Sequence, residues 1–136
     1  MKKNILLIVL VLFALNNLKS QNYNIVSSNG QTVYACTGYF TDNSSGDYSA
    51  NQDLTVTFAS NNPTNTHISI SFISFDIHAS DTLYIYDGPG TTSPLIGKFN
   101  NTNPLSGGLN MVRSSISNSS GRLTFRFKTN STNQVS

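Results

Sequence analysis

The chain has 136 residues, with eight Lys and Arg against six acidic residues and a formal charge of +2. Three of the basic residues (Lys2, Lys3, Lys19) and none of the acidic ones fall in the first twenty positions, so the remainder carries five basic and six acidic groups, formally −1. No basic patch and no interleaving of basic with aromatic residues remains, which excludes nucleic acid as the expected partner.

Those first twenty residues have their own pattern. Met1-Lys2-Lys3 is a short basic start, residues 5–15 are almost uninterrupted Leu, Ile, Val, Phe and Ala, and a small residue, Ser20, follows the polar Asn16-Asn17. This is the pattern of a cleavable signal helix over residues 1–20, with cleavage after Ser20 and Gln21 as the new terminus. The apolar run is shorter than the roughly 20 residues a membrane span needs. The expected product is secreted and extracellular, with no membrane span after cleavage. No Cys follows the cleavage point, which argues against a lipid anchor. About 116 residues then remain, enough for one domain with a real core.

In that remainder every acidic residue is Asp, there is no Glu, and Asn, Ser and Thr do the solubilising. Such a composition favours short strands joined by polar turns. Residues 21–35 read as an Asn-rich leader or first edge strand. Cys36 is the only cysteine. In an exported chain it is either buried and inert, paired with another chain, or paired with a cysteine outside this sequence. Residues 41–51 are a long turn signal. Leu54, Val56 and Phe58 alternate with Thr55 and Thr57, the period-2 signature of a half-buried strand. After a loop at 61–66, Ile68, Ile70 and Phe72 repeat the pattern with Ser69 and Ser71.

A third strand carries Leu83 and Ile85 on one face and Tyr84 and Tyr86 on the other, and Asp87-Gly88-Pro89-Gly90 stops it. Leu83 and Ile85 are the expected core face, leaving Tyr84 and Tyr86 partly exposed as a candidate contact surface. A short strand at 95–97, a loop at 105–108 and another short strand at 112–116 follow. A last strand alternates Leu123, Phe125 and Phe127 with Thr124, Arg126 and Lys128. Regularly spaced short strands with turn chemistry between them predict an all-β sandwich or barrel.

Catalytic chemistry has little to work with. His67 and His78 are the candidate general bases, no nucleophile elbow is present, and two histidines do not make a hydrolytic zinc site. The sequence therefore predicts no enzyme.

Three segments in order carry a resemblance. They are Cys36-Thr37-Gly38-Tyr39-Phe40 running on to Gly46-Asp47-Tyr48-Ser49-Ala50-Asn51, residues 68–88 with Phe75-Asp76 and Asp81-Thr82-Leu83-Tyr84-Ile85-Tyr86-Asp87-Gly88, and Pro94-Leu95-Ile96-Gly97 followed by Ser120-Gly121-Arg122-Leu123-Thr124-Phe125-Arg126-Phe127. Together they resemble a CUB domain of the secreted bacterial type, over residues 36–136. The resemblance implies a jelly-roll-like antiparallel β-sandwich and a non-catalytic extracellular module that binds a protein or carbohydrate partner. The alternative is an accessory domain of a larger secreted peptidase whose catalytic part lies beyond this sequence. Family members close with a Gly-Trp/Phe-x-Ala strand near a Cys. Val135-Ser136 stand where that strand is expected to begin, so the resemblance implies a domain incomplete at its C-terminus and a disulfide partner for Cys36 outside this sequence. A second cysteine pair of the family falls at Ala59 and Arg122, both replaced together.

Many CUB domains hold Ca²⁺, and hard cations take several oxygen ligands, usually including two or more carboxylates. Carried over by position, the resemblance implies Tyr48 and Asp81 as ligands, with His78 where the family has Glu and Asn130 where it has Asp. Asn133 lies in the same late loop, and Asp76 is the nearest replacement for the lost Glu. Two of three carboxylates are missing and imidazole is a poor calcium ligand. The competing expectation is an Asn/Asp-rich loop edge held by side-chain hydrogen bonds.

Overall fold

The computed structural model describes residues 21–42, 46–62, 64, 66–105 and 111–131. The expected signal helix, part of the 41–51 turn, most of the 105–108 loop and Asn133 lie outside the described residues. Nine strands form: β1 (Asn22–Asn24), β2 (Thr32–Ala35), β3 (Tyr39–Thr41), β4 (Asp53–Ser60), β5 (Ser69–Ser71), β6 (Thr82–Tyr86), β7 (Leu95–Phe99), β8 (Met111–Arg113) and β9 (Leu123–Lys128). Among the described residues there is no helix, so the fold is all-β.

One five-stranded sheet, in the order β2-β4-β9-β6-β7, forms the larger layer. Its centre is the alternation visible in the sequence. Antiparallel pairing sets Leu54 against Phe127, Val56 against Phe125 and Phe58 against Leu123, while Leu83 and Ile85 lie opposite Phe127 and Phe125 on the other side of β9. Because side chains alternate across a strand, this register puts every large apolar residue of β4, β9 and β6 on one face. Val56, Ile85, Leu123 and Phe125 are fully buried there.

The second layer is in two pieces. β1 pairs with β3 in parallel, and β5 pairs with β8 antiparallel, with no strand joining the two pairs among the described residues. Both pieces pack on the apolar face of the large sheet. Phe40 of β3 meets Phe58 edge-on at 4.8 Å, and Phe40 and Phe72 each lie 6.2 Å from Phe125, ring centre to ring centre. Such aromatic pairs add about 0.5–1.5 kcal/mol each beyond the area they bury.

The segment expected as a leader or edge strand carries two strands. Ile25 and Val33 join the core, and β2 runs parallel to β4 with Val33 opposite Phe58. The sequence signal was weak because these strands have three or four residues and only one core residue in each turn of the alternation. β5 is also shorter than the 68–72 alternation predicts, and β7 extends past the expected 95–97 to Phe99.

Turn chemistry fixes the strand ends. Gly121 sits at φ +62°, and a Cβ there would lie 2.2 Å from the Thr66 carbonyl oxygen. Only glycine lets the turn at 118–121 close against residue 66, and its carbonyl then accepts from the Ile68 N–H just before β5. After β6, Asp87 accepts from the Ser115 N–H at 3.1 Å and the Asn118 side-chain amide at 2.7 Å, tying the β6–β7 loop to the β8–β9 loop. Burial opposes the charge of this carboxyl, but the hydrogen bonds from Ser115 and Asn118 outweigh it and hold Asp87 below the usual carboxylate range.

Candidate functional site

Three places in the fold gather residues that chemistry could use. The first is built around Asp81, which β6 begins beside and which is only 1 % exposed. Its Oδ2 accepts from the Tyr48 hydroxyl at 2.7 Å and its Oδ1 from the Asn130 N–H at 2.8 Å. The Tyr48 oxygen in turn accepts from the His78 N–H at 3.0 Å. The Tyr48 ring is buried against Phe127, centroids 4.9 Å apart, so packing and hydrogen bonding hold the hydroxyl in one place. Residues from three distant stretches of chain, around 48, 78–81 and 130, therefore meet in one hydrogen-bonded hub.

Of the expected calcium ligands, Tyr48, Asp81 and Asn130 come together, and Asp76 is engaged elsewhere. The Asp76 carboxylate is exposed and accepts from the Asn101 side-chain amide at 2.6 Å, and Asn133 lies outside the described residues. Asn130 turns an N–H donor, not an oxygen, toward Asp81. The His78 ring is turned to Ser80, with Nδ1 2.8 Å from its hydroxyl. Among the described residues no group of three or more His, Cys, Asp or Glu side chains is arranged to hold a metal. A cation at Asp81 would face an N–H and an O–H donor already directed at both oxygens. This donor set fits a hydrogen-bonded hub, not a cage of six or more oxygens.

The second place is the outer face of the large sheet. Tyr84 and Tyr86 stack with centroids 6.5 Å apart and planes 12° apart, and the Lys98 ammonium lies 5.5 Å over the Tyr84 ring. Beside them Arg126 forms a two-pronged ion pair with Asp53, both contacts at 2.7 Å. The Arg126 guanidinium holds the Asp53 carboxyl below its ordinary value, and Asp53 holds the guanidinium proton more tightly still. The expected exposure of both tyrosines needs correcting. Tyr84 is half-buried, but Tyr86 is only 9 % exposed, hemmed in by the parallel Tyr84 ring and by Arg126. Of the two, Tyr84 keeps the greater exposure.

The third place was not legible in the sequence. Between the two pieces of the second layer an open cleft of about 670 Å³ reaches down to the large sheet. β3 and β5 form its walls, and Phe58, Leu83 and Phe127 form its floor. Tyr39 and Ile73 stand on its rim, 56 % and 84 % exposed. The one available signal was the adjacency of Phe72 and Ile73 followed by Phe75, which breaks the polar–apolar alternation and puts apolar groups on both sides of the chain.

Cys36 also lines the cleft, exposed, with its thiol directed at the Asn61 side-chain oxygen. His67 lies exposed beside Thr66. No family model matches the chain.

Proposed function

We propose that the chain is an exported, CUB-like interaction module, a jelly-roll-type sandwich that binds a protein or glycan partner through the open cleft between β3 and β5. The single observation that carries this reading is the cleft, with its apolar floor and with Tyr39 and Ile73 exposed at its rim. Large apolar side chains held in water around a concave apolar surface are the usual mark of a binding site.

The order of the sequence motifs supports the CUB-like part of the reading. So does the β4–β9 register. Its last pair is Phe58 with Leu123, so the next step along the ladder puts Ala59 beside Arg122, the positions that would carry the family's second cysteine pair. The basic start and apolar run of residues 1–20 support export. In this reading the Tyr48–Asp81–Asn130 hub is structural and holds the loops at one end of the sandwich.

The test uses the secreted chain and two surface substitutions at the rim, Tyr39→Asp and Ile73→Asp, screened against immobilised extracellular proteins and glycans. Binding should be saturable and at least about tenfold weaker in both variants, while Tyr84→Ala on the opposite face leaves it unchanged. Equal binding by the rim variants, or loss only in Tyr84→Ala, sinks the assignment to the cleft.

A further inference from the structure

The outer face of the large sheet gathers charge that the sequence disperses. Side chains alternate across a strand, so Arg122, Arg126 and Lys128 lie on the side of β9 away from the buried Leu123, Phe125 and Phe127. Lys98 of β7 stands opposite Tyr84 on the same side and reaches over its ring. Four of the five basic residues after position 20 therefore share one face, and Asp53 is the acidic residue paired among them. Together they carry +3, whereas the rest of residues 21–136 carries one positive and five negative charges. Two of those negative groups, Asp42 and Asp76, lie along the cleft on the opposite side of the sheet. A stretch that is formally −1 is thus strongly polarised across its sheet.

The charges are held in place without being cancelled. Among the described residues both ion pairs end on the same carboxylate, with Arg126 2.7 Å and Lys128 3.8 Å from Asp53. Arg122 and Lys98 instead lie over neutral rings, 5.8 Å from the centre of Tyr34 and 5.5 Å from that of Tyr84. A ring orients a cation and leaves its charge intact. From Arg122 to Lys128 is six residues of extended chain, about 20 Å, and Lys98 lies two strands, about 10 Å, to the side of Arg126. No single small anion spans that area, but a polymer with repeated negative groups does.

The surface between the cations narrows the kind of polymer. β4, β9 and β6 are each paired on both sides, so no backbone edge is open there. On this face they present Thr55, Thr82 and the two tyrosines but no Val, Leu, Ile, Met or Phe. An acidic peptide would find neither a strand edge nor an apolar pocket to anchor it. Nucleic-acid bases need open ring faces to stack on, and here Tyr84 is stacked on Tyr86 and covered by Lys98, while Tyr34 is covered by Arg122. Cations set among hydroxyls match a polymer that is itself made of hydroxyls and anions.

We infer that the outer face of β9, with Lys98 beside it, is a binding site for an acidic polysaccharide whose repeating units carry carboxylate or sulfate groups. Arg122, Lys128 and Lys98 make the ionic contacts, and the planar fork of Arg122 suits two-pronged contact with such a group. The threonine and tyrosine hydroxyls hydrogen-bond the sugar rings between them. The site lies on the opposite side of the sheet from the cleft, takes a different ligand and does not depend on what the cleft binds.

The test measures binding of the protein to polygalacturonate and to dextran sulfate, with neutral dextran, poly-glutamate, oligo-thymidylate and anionic phospholipid vesicles as comparisons. At least one of the two acidic polysaccharides should bind, and should do so more tightly than any of the four comparisons. Raising the salt from about 0.05 M to about 0.5 M should weaken that binding at least about tenfold, because exposed charges are then screened. Lys98 and Lys128 are both exposed, so Lys98→Gln with Lys128→Gln should fold like the parent and bind at least about tenfold more weakly. Lys98→Arg with Lys128→Arg should bind like the parent. Arg113→Gln, which removes an exposed cation of β8 in the other layer, should change binding less than about twofold. No binding of either acidic polysaccharide at low salt overturns the inference, as does equal binding of neutral dextran. Undiminished binding by the double Gln variant, or an equal loss in Arg113→Gln, overturns the assignment to this face. Tighter binding of poly-glutamate, oligo-thymidylate or vesicles shows that the face takes a different polyanion and overturns the choice of a polysaccharide.

Discussion

Tyr48→Phe isolates the hydrogen bonds of the Asp81 hub from its packing. The substitution keeps the ring that meets Phe127 at 4.9 Å and removes only the hydroxyl. That hydroxyl donates to Asp81 Oδ2 at 2.7 Å and accepts from the His78 N–H at 3.0 Å. Its loss therefore leaves a buried carboxylate with one donor fewer and an N–H without its acceptor. A hydrogen bond to a charged group contributes about 1.5–3 kcal/mol, and an orphaned buried donor costs about 1–3 kcal/mol. The two losses share one oxygen and are not additive, so the expected destabilisation is about 2–3 kcal/mol. Tyr39→Phe removes a hydroxyl from an exposed ring and should stay within about 0.5 kcal/mol. Urea unfolding of the three proteins, with unchanged slopes, measures both values. A Tyr48→Phe cost below about 0.5 kcal/mol would refute the claim that the hub ties the loops together.

Other expectations follow from the same structure. Millimolar calcium against chelator should leave the melting temperature unchanged, because both oxygens of Asp81 already accept from protein donors; a rise of several degrees would show that the hub rearranges into a metal site. Gly121→Ala should destabilise by more than about 2 kcal/mol, since it adds a steric clash with Thr66 to a left-handed backbone, whereas Gly90→Ala, with open space around it, should be close to neutral. The Asp53–Arg126 pair gives a pH signature. Arg126 depresses the Asp53 carboxyl, so the pair's stabilisation is full above the unfolded value of about 4 and is lost as pH falls through the lower folded value. The stability gap between the parent and Arg126→Gln should therefore be under about 1 kcal/mol at neutral pH, as for exposed pairs, and should shrink toward pH 2.

The large sheet was legible because each of its central strands obeys a strict alternation. Leu54-Val56-Phe58, Leu83-Ile85 and Leu123-Phe125-Phe127 are the same residues that line up across β4, β6 and β9. Tyr48 and Asp81 were visible through the resemblance to known modules, and they do meet. Their chemistry differs from the expected ligand set because Asn130 presents its backbone N–H, and backbone orientation at a strand end is not encoded in residue type. Tyr86 was expected at the surface because alternation tells which face a residue takes, but not whether a neighbour such as Tyr84 covers that face. The cleft was nearly invisible for a different reason. It arises where β3 and β5 each have one paired neighbour among the described residues, and pairing between distant segments leaves little local pattern beyond the Phe72-Ile73 adjacency.

Amide exchange in the protein alone tests the central claim, the second layer in two pieces, most directly. The account predicts that the amides of Ser69 and Ser71 exchange within about tenfold of an unprotected chain, while those of Val56 and Phe125 exchange only through opening of the whole domain. Protection at Ser69 and Ser71 comparable to that of Phe125 would contradict it.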